Sequence, residues 1–395
     1  MTNNKKWNLE TKLIREGLNR SQFGETSEPI YMTSSYVYDS PEQAEARFKG
    51  DEEGFIYSRY GNPTVQMFED RLASIENADK CFATSTGMAA VFASLMCQLE
   101  KGDKVVSSRA LFGSIYQILT KILPKYGIET VLVNGTDLNE WESAIDDKTK
   151  VVFFETPSNP TLEIIDIKNV CSLAKKFGAK VIIDNVFATP ILQHPFELGV
   201  DIVVYSGTKH IDGQGRSLGG AIISDNEFHD KLLKPFMRHT GASMSPFNAW
   251  IMLKGLETLK LRVDAQSDNA LEIANYYKDN PNIVNLIYPS KSTHSQFELI
   301  KKQMEKGGTI LTMVVKGGKD EVFKIFNELE LIDISNNLGD TKSIITHPAT
   351  TTHYSLGEEG RKEAGIPDGM IRLSVGLENV NDIISDIDNA MKIYK

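Results

Sequence analysis

Seven short apolar runs between residues 80 and 224 constrain the fold of this 395-residue chain more than any other feature. They are KCFAT, KVVSS, ETVLV, KVVFFE, KVIID, DIVVYS and GGAIIS, and helix-length segments such as IKNVCSLAKKFG separate several of them. Strands that alternate with helices indicate parallel strands joined by crossover connections. The runs are apolar throughout, as expected for strands covered on both faces. The sequence therefore predicts an α/β fold around a mostly parallel, seven-stranded sheet.

The chain on either side of this central region has a different character. The first 60 residues are rich in Ser, Tyr, Glu and Gly and show weak periodicity, which predicts an arm with little core of its own. A long helical stretch begins near Ser245 and Pro246, where serine suits the N-cap and proline the first helical position. The predicted divisions are an N-terminal arm over 1–60, a large domain over 61–250 and a smaller C-terminal α/β domain over 251–395.

Composition limits the classes of function. The net charge of −10 argues against a basic nucleic-acid-binding surface, and the absence of a run of about 18 apolar residues argues against a membrane span. The first residues, MTNNKKWNLETKL, lack the hydrophobic region of a signal peptide, so we expect a cytoplasmic protein. Cys81, Cys97 and Cys171 lack metal-site spacing and are expected to be reduced core thiols. No metal is predicted.

Polar residues follow several of the runs, where parallel strands end and ligands usually bind. After KCFAT, the sequence Ser85-Thr86-Gly87-Met88 opens a helix whose N-terminus suits a phosphate, although for this stretch alone an ordinary Ser/Thr N-cap is the better explanation. Asn159 lies in a turn after KVVFFE. Asp184 ends KVIID, where a buried carboxylate needs a cap, an ion pair or Mg²⁺ as its partner.

The run DIVVYS is followed by two hydroxyls and an amine. Ser206, Thr208 and Lys209 could together bind a phosphate, and a desolvated lysine is a nucleophile toward carbonyl groups. A solvated lysine is the simpler interpretation of Lys209 alone. The whole set is more specific, since pyridoxal phosphate requires a lysine, an acid for its ring nitrogen and a cradle for its phosphate.

Six stretches together resemble the Cys/Met-metabolism family of pyridoxal-phosphate enzymes. They are YSRYGNPT (57–64), STGMAA (85–90), ETPSNPTLEI (155–164), VIIDNVFATP (181–190), VVYSGTKHIDGQG (203–215) and IRLSVGLE (371–378). The resemblance extends over nearly the whole chain. It implies the fold type I architecture of pyridoxal-phosphate-dependent transferases, with pyridoxal 5'-phosphate as the cofactor.

The resemblance implies roles for the matching residues around this cofactor. Lys209 would bind it covalently, and Asp184 would keep its ring nitrogen protonated. The groups implied for its phosphate are the backbone N–H groups of Gly87 and Met88, the hydroxyls of Ser206 and Thr208, and Tyr57 and Arg59 of a neighbouring subunit. An arm that reaches a neighbour would explain its lack of core, and it implies a homo-oligomer, by analogy a tetramer built as a dimer of dimers.

Other matches and departures concern the substrate. The resemblance implies that Arg372 pairs bidentately with the α-carboxylate of an amino acid and that Asn159 lies near it. Surface ion pairs are the alternative interpretation of Arg372 and Arg59. Phe112 stands where relatives commonly have tyrosine, so its ring could stack on the cofactor without a phenol hydroxyl, leaving more proton transfer to Lys209. Asn337 lies in a run that departs from the usual Ser-Leu-Gly-Gly pattern near the substrate.

The stretches ALFGS, SNNLGDTKS and THPATTTH are most similar to the O-succinylhomoserine sulfhydrylase branch. This implies replacement of succinate by sulfide at the γ-carbon, giving homocysteine for methionine biosynthesis. Cystathionine γ-synthase, O-acetylhomoserine sulfhydrylase and methionine γ-lyase are alternatives within the family. A nicotinamide dehydrogenase is disfavoured because GQGRSLG (213–219) lacks the GxGxxG spacing. A regulator that has lost activity is disfavoured by the presence of Lys209, Asp184 and Arg372.

Overall fold

A computed structural model of the chain describes residues 7–290 and 294–394. The strands are β1 (Lys80–Thr84), β2 (Lys104–Ser108), β3 (Glu129–Val133), β4 (Thr149–Glu155), β5 (Lys180–Asp184), β6 (Ile202–Ser206), β7 (Gly220–Ser224), β8 (Ile283–Ile287), β9 (Ile310–Val315), β10 (Asp333–Ile334), β11 (Ile344–Thr346) and β12 (Met370–Ser374). The α-helices are α1 (Leu9–Arg15), α2 (Pro41–Lys49), α3 (Pro63–Ile75), α4 (Gly87–Met96), α5 (Gly113–Gln117), α6 (Leu138–Ala144), α7 (Ile167–Lys176), α8 (Thr189–Leu192), α9 (Asn226–Phe228), α10 (Lys234–Thr240), α11 (Pro246–Glu257), α12 (Leu259–Tyr277), α13 (Phe297–Gln303), α14 (Lys319–Asn327), α15 (Gly357–Glu363) and α16 (Val380–Ala390).

The seven predicted runs form one seven-stranded sheet in the order β1-β7-β6-β5-β4-β2-β3. Strand β2 pairs in parallel with β3 and β4, β4 pairs in parallel with β5, and β1 pairs antiparallel with β7. The central strands are buried along their length, as the unbroken apolar runs indicated. The predicted α/β class with a mostly parallel seven-stranded sheet is confirmed.

The chain divides into two compact units. The first unit comprises residues 1–98, 204–212 and 216–258, and the second unit comprises residues 99–203, 213–215 and 259–395. The divisions predicted at residues 60 and 250 stay predictions.

The second unit contains a five-stranded sheet of its own. Its order is β10-β11-β12-β9-β8, with β12 antiparallel to both β9 and β11. Side chains of α12, α14 and α16 complete the apolar core against this sheet, among them Ile273, Val322 and Ile383, which are fully buried. Helices α14 and α16 are amphipathic at the helical period, so each covers the sheet with one face. This is the α/β region that the sequence predicted toward the C-terminus.

A buried cluster of ion pairs and hydrogen bonds holds residues 16–28 against helices α3 and α11 of the first unit. The guanidinium of Arg71 in α3 donates to Glu28 at 2.6 Å and to the carbonyl oxygen of Glu16 at 2.8 Å. Lys254 of α11 also donates to the Glu28 carboxylate. These two cations hold the pKa of Glu28 below its usual range, although burial opposes them. Residues 16–28 are therefore fixed by charge pairs more than by an apolar core.

Candidate active site

The first unit brings the start of α4 against the end of β6. Thr86 caps the helix, and its hydroxyl accepts a hydrogen bond from the backbone N–H of Ala89 at 3.0 Å. A β-carbon on Gly87 would lie 2.6 Å from Cβ and 2.9 Å from Oγ of Ser206, so only glycine allows this approach. A helix N-terminus beside a hydroxyl is an anion-binding arrangement, because the first N–H groups of a helix lack partners within it.

The turn after β6 is held by its own backbone and by Thr208. The N–H of Lys209 donates to the carbonyl oxygen of Ser206 at 3.3 Å, and the N–H of Gly207 donates to that of Gly219 at 2.9 Å. The hydroxyl of Thr208 accepts a hydrogen bond from the N–H of Gly219 at 3.1 Å. Lys209 is half-buried at the end of a buried strand. These bonds fix the backbone from which the Lys209 side chain extends.

Tyr57 and Arg59 lie in the arm and contact other residues of the first unit. The Arg59 guanidinium packs over the ring of Tyr60, 4.8 Å from its centroid, and donates to the carbonyl oxygen of Arg238. Tyr57 is 41% exposed. Their predicted contact with a phosphate in a neighbouring subunit stays a prediction.

In the second unit, two carboxylates end neighbouring parallel strands. Glu155 of β4 and Asp184 of β5 are register partners, so both lie at the carboxyl edge of the sheet. The Oδ1 atom of Asp184 accepts a hydrogen bond from the N–H of Val186 at 3.0 Å. Glu155 is 3% exposed. Burial and the charge of Asp184 raise the pKa of Glu155.

Glu155 joins two loops that carry predicted site residues. Its Oε2 atom accepts a hydrogen bond from the N–H of Phe112 at 3.0 Å, and its Oε1 atom accepts one from the N–H of Asn159 at 2.7 Å. Phe112 follows β2 and Asn159 follows β4. One buried carboxylate therefore sets the positions of the predicted stacking residue and of a predicted substrate ligand.

Arg372 of β12 forms a clamp with Asn159 in the same unit. Its Nη1 donates to the Oδ1 atom of Asn159 at 3.0 Å, and its Nη2 donates to the carbonyl oxygens of Asn336 and Asn337, each at 3.0 Å. Among the described residues, its buried Nε has no hydrogen-bond partner. Burial lowers the pKa of Arg372 to about 10, and the carboxylate of Glu155 opposes that effect. Arg372 thus stays cationic near neutral pH, with one N–H available to an anion.

His353 contacts the carbonyl oxygen of Asn159, whereas Glu155 binds its N–H. Its Nε2 lies 3.2 Å from the carbonyl oxygen of Asn159, and its Nδ1 lies 2.8 Å from the hydroxyl of Thr352. Burial, together with the charge of Arg372, lowers the pKa of His353 to about 4. The imidazole is therefore neutral near pH 7 and can donate from Nε2 only in one tautomer. Neither Glu155 nor His353 is among the site residues predicted from the sequence.

Comparison with known proteins identifies the family. The family description Cys/Met metabolism PLP-dependent enzyme matches residues 10–392. The chain belongs to this family. The predicted resemblance and the predicted cofactor, pyridoxal phosphate, are confirmed.

Individual relatives cover almost the whole chain. The O-succinylhomoserine sulfhydrylase of Mycobacterium tuberculosis H37Rv is 52% identical over 382 residues, which are 96% of this chain and 94% of the relative. An L-methionine γ-lyase of Fusobacterium nucleatum subsp. polymorphum is 38% identical over 98% of this chain and 99% of its own. A Campylobacter jejuni protein assigned as an O-acetylhomoserine (thiol)-lyase, solved with N'-pyridoxyl-lysine-5'-monophosphate, has a TM-score of 0.94 and 35% identity, covering 98% of this chain and 100% of its own.

The residues present fit the family's cofactor. The close approach of Gly87 to Ser206 suits a phosphate, and Asp184 offers a carboxylate at a strand end. Among residues 7–290 and 294–394, no group of three or more His, Cys, Asp and Glu side chains could hold a metal ion. The same residues form no helix long and apolar enough to cross a membrane.

The Gly87→Ala substitution is expected to weaken binding of pyridoxal phosphate by about 10- to 100-fold, because the new methyl group would displace Ser206 from the helix N-terminus. Titration of cofactor-free protein, followed by absorbance, measures this affinity. Gly318→Ala is the matched control, since its β-carbon would approach only Asp368, at 3.9 Å. Equal affinities of the Gly87→Ala variant and the wild type would contradict the assignment of this phosphate site.

Proposed function

We propose that the chain catalyses γ-replacement on O-succinylhomoserine with sulfide, giving homocysteine and succinate. The observation that carries this proposal is the 52% identity, over nearly the whole chain, to proteins named O-succinylhomoserine sulfhydrylase, against 38% to the methionine γ-lyase. The structure supplies a buried cation with one free N–H, Nε of Arg372, which suits an amino-acid carboxylate.

Each proposed residue has a definite task. Lys209 would hold the cofactor until the substrate amine takes its place, and the cofactor would then supply an electron sink for negative charge at the substrate carbons next to the amine. The carboxylate of Asp184 holds the proton on the ring nitrogen, which strengthens that sink. The Nζ atom of Lys209 takes the proton from the α-carbon and later returns it. Arg372 and Asn159 bind the α-carboxylate and fix the orientation of the α-carbon.

The remaining tasks concern binding and the leaving group. Gly87 and Met88 bind the cofactor phosphate through backbone N–H groups, and Ser206 and Thr208 through hydroxyls. Phe112 stacks on the cofactor ring without supplying an acid or a base. Nζ of Lys209 also takes a proton from the β-carbon and returns it after sulfide has added. The electron pair left at Cβ forms a second bond to Cγ as the Cγ–O bond breaks, and succinate departs with the electron pair of that bond. Sulfide, as HS⁻, donates a pair to the same carbon, so that one C–S bond replaces one C–O bond.

We also propose that the arm packs on a second copy of the chain. Helix α2 has no buried residue, and four large apolar side chains of the arm are more than half exposed: Phe23, Met32, Val37 and Phe48. Exposed apolar surface of this extent suits a protein–protein contact. This arrangement would bring Tyr57 and Arg59 to the phosphate of a neighbouring subunit in a homo-oligomer, with a tetramer as the expected state. It follows that loss of the arm should reduce both oligomerisation and cofactor affinity.

Steady-state kinetics with a matrix of substrates tests the proposed reaction. We expect kcat/KM for O-succinylhomoserine with sulfide to exceed that for O-acetylhomoserine with sulfide, and that for O-succinylhomoserine with cysteine, by about tenfold or more. A difference of this size corresponds to about 1.4 kcal/mol in transition-state binding. Cleavage of methionine with release of a thiol, in protein that does not turn over either ester, would contradict the proposal and favour a γ-lyase.

A further inference from the structure

Glu155 occupies a position that the proposed reaction does not explain. It is not among the groups assigned to the cofactor or the substrate, yet it is a buried acid at the carboxyl edge of the sheet. Burying an acid is unfavourable unless hydrogen bonds or charges compensate for the loss of water. The structure provides that compensation from two backbone N–H groups, those of Phe112 and Asn159.

We propose that Glu155 is a positioning residue that couples the Phe112 loop to the substrate clamp formed by Asn159 and Arg372. The inference rests on the proposed roles of these residues. Glu155 ends a buried strand, so its backbone is held by the sheet, whereas Phe112 and Asn159 lie in loops. A side chain fixed on a strand can place two loops more precisely than the loops can place themselves.

The bonds around Asn159 show how the coupling would reach the substrate. Its N–H donates to Glu155 at 2.7 Å, its carbonyl oxygen lies 3.2 Å from Nε2 of His353, and its side-chain oxygen accepts from Arg372 at 3.0 Å. The Asn159 backbone is thus held at both its N–H and its carbonyl oxygen, on either side of the α-carbon that carries the side chain bound to Arg372. If the Glu155 bond is lost, only the carbonyl side is held, and Asn159 no longer orients the guanidinium. Asn159 and Arg372 would then bind the substrate carboxylate in a less well-defined geometry.

The Glu155→Gln variant removes one acceptor and keeps the volume of the side chain. The amide of glutamine can accept a hydrogen bond only through its oxygen, so its NH₂ group faces either the N–H of Phe112 or that of Asn159. Glu155→Asp is a second variant, which keeps the carboxyl group but shortens the side chain so that it cannot reach both amides. The matched control is Asp386→Asn. Asp386 is also a buried carboxylate that accepts from backbone N–H groups, but these belong to the segment 330–332.

The first measurement is hydrogen–deuterium exchange of the cofactor-loaded protein and of the cofactor-free protein. In both Glu155 variants, peptides containing the amides of Phe112 and Asn159 should exchange faster than in the wild type, by about 10-fold or more. In Asp386→Asn these peptides should keep wild-type protection, whereas peptides over 330–332 should lose it. This readout does not depend on turnover, so it stays informative even if the proposed reaction is wrong.

The second measurement separates positioning from a general loss of stability. L-norleucine carries an α-carboxylate, whereas pentylamine has the same chain without it, and visible absorbance reports the binding of either to the cofactor-loaded protein. We expect Glu155→Gln to weaken the binding of L-norleucine by about 10- to 100-fold and the binding of pentylamine by less than about threefold. Asp386→Asn should leave both affinities unchanged. Equal weakening of the two probes, or wild-type exchange of both amides, would overturn the proposal. If the wild-type protein turned over neither homoserine ester, the proposed reaction would be contradicted, but the positioning role of Glu155 would not.

Discussion

Replacement of Lys209 by alanine is expected to lower kcat for the proposed reaction by at least about 1,000-fold. The variant loses the amine that binds the cofactor covalently, and it loses the base that takes the proton from the substrate α-carbon. General acid–base catalysis alone contributes about 10²- to 10⁴-fold in enzymes. Because Nζ performs both tasks, this variant measures their combined loss.

Two measurements accompany this substitution. Borohydride reduction of the wild-type protein, followed by peptide mass mapping, should place the pyridoxyl group on the peptide that contains Lys209. Added methylamine should restore part of the activity of the Lys209→Ala variant, since it can replace the missing base. Lys231→Ala is the control, because Lys231 forms a surface ion pair with Glu227 and should not affect turnover. A pyridoxyl group found on another lysine would contradict the assignment.

The large sheet was predictable because its strands carry short apolar runs, several of them separated by helix-length segments. Each of the seven runs coincides with an observed strand to within one residue, from β1 at Lys80–Thr84 to β7 at Gly220–Ser224. Strands of the smaller sheet gave weaker signals. Strand β8 is partly exposed and β10 consists of two exposed residues, so neither has a continuous apolar run. A continuous apolar run is what allows a strand to be predicted from sequence, and β8 and β10 lack one.

The candidate site was predictable where a residue type is unusual for its position. Lys209 and Asp184 were identified because a charged side chain close to the end of a buried apolar run is unfavourable unless it has a partner. Glu155 occupies the same kind of position at the end of KVVFFE, and that signal could have identified it. His353 could not have been found in this way. It gains its partner, the carbonyl oxygen of Asn159, across 194 residues of chain, which only the folded structure brings together.

Arg372 illustrates why a conservative substitution can be severe in a buried clamp. The guanidinium is 1% exposed and satisfies one amide oxygen and two backbone carbonyl oxygens with its two terminal nitrogens. Lysine offers a single ammonium group, which cannot form these bonds and also pair with a carboxylate in two places. Arg372→Lys would therefore leave buried carbonyl oxygens without donors as well as a substrate carboxylate with fewer bonds. Both effects act where solvent cannot compensate.

We expect Arg372→Lys to lower kcat/KM for O-succinylhomoserine by about 100- to 1,000-fold, a loss of about 3–4 kcal/mol in transition-state binding. Most of the loss should appear in KM, because the carboxylate is bound before and during the reaction alike. Arg20→Lys is the matched control, since Arg20 is exposed and donates to the backbone carbonyl oxygen of Glu25. If pentylamine binding falls as far as L-norleucine binding in Arg372→Lys, the clamp does not recognise the carboxylate. Loss confined to L-norleucine would instead place recognition of the carboxylate at the guanidinium, since the two probes differ only in the carboxylate and the variant differs only at residue 372.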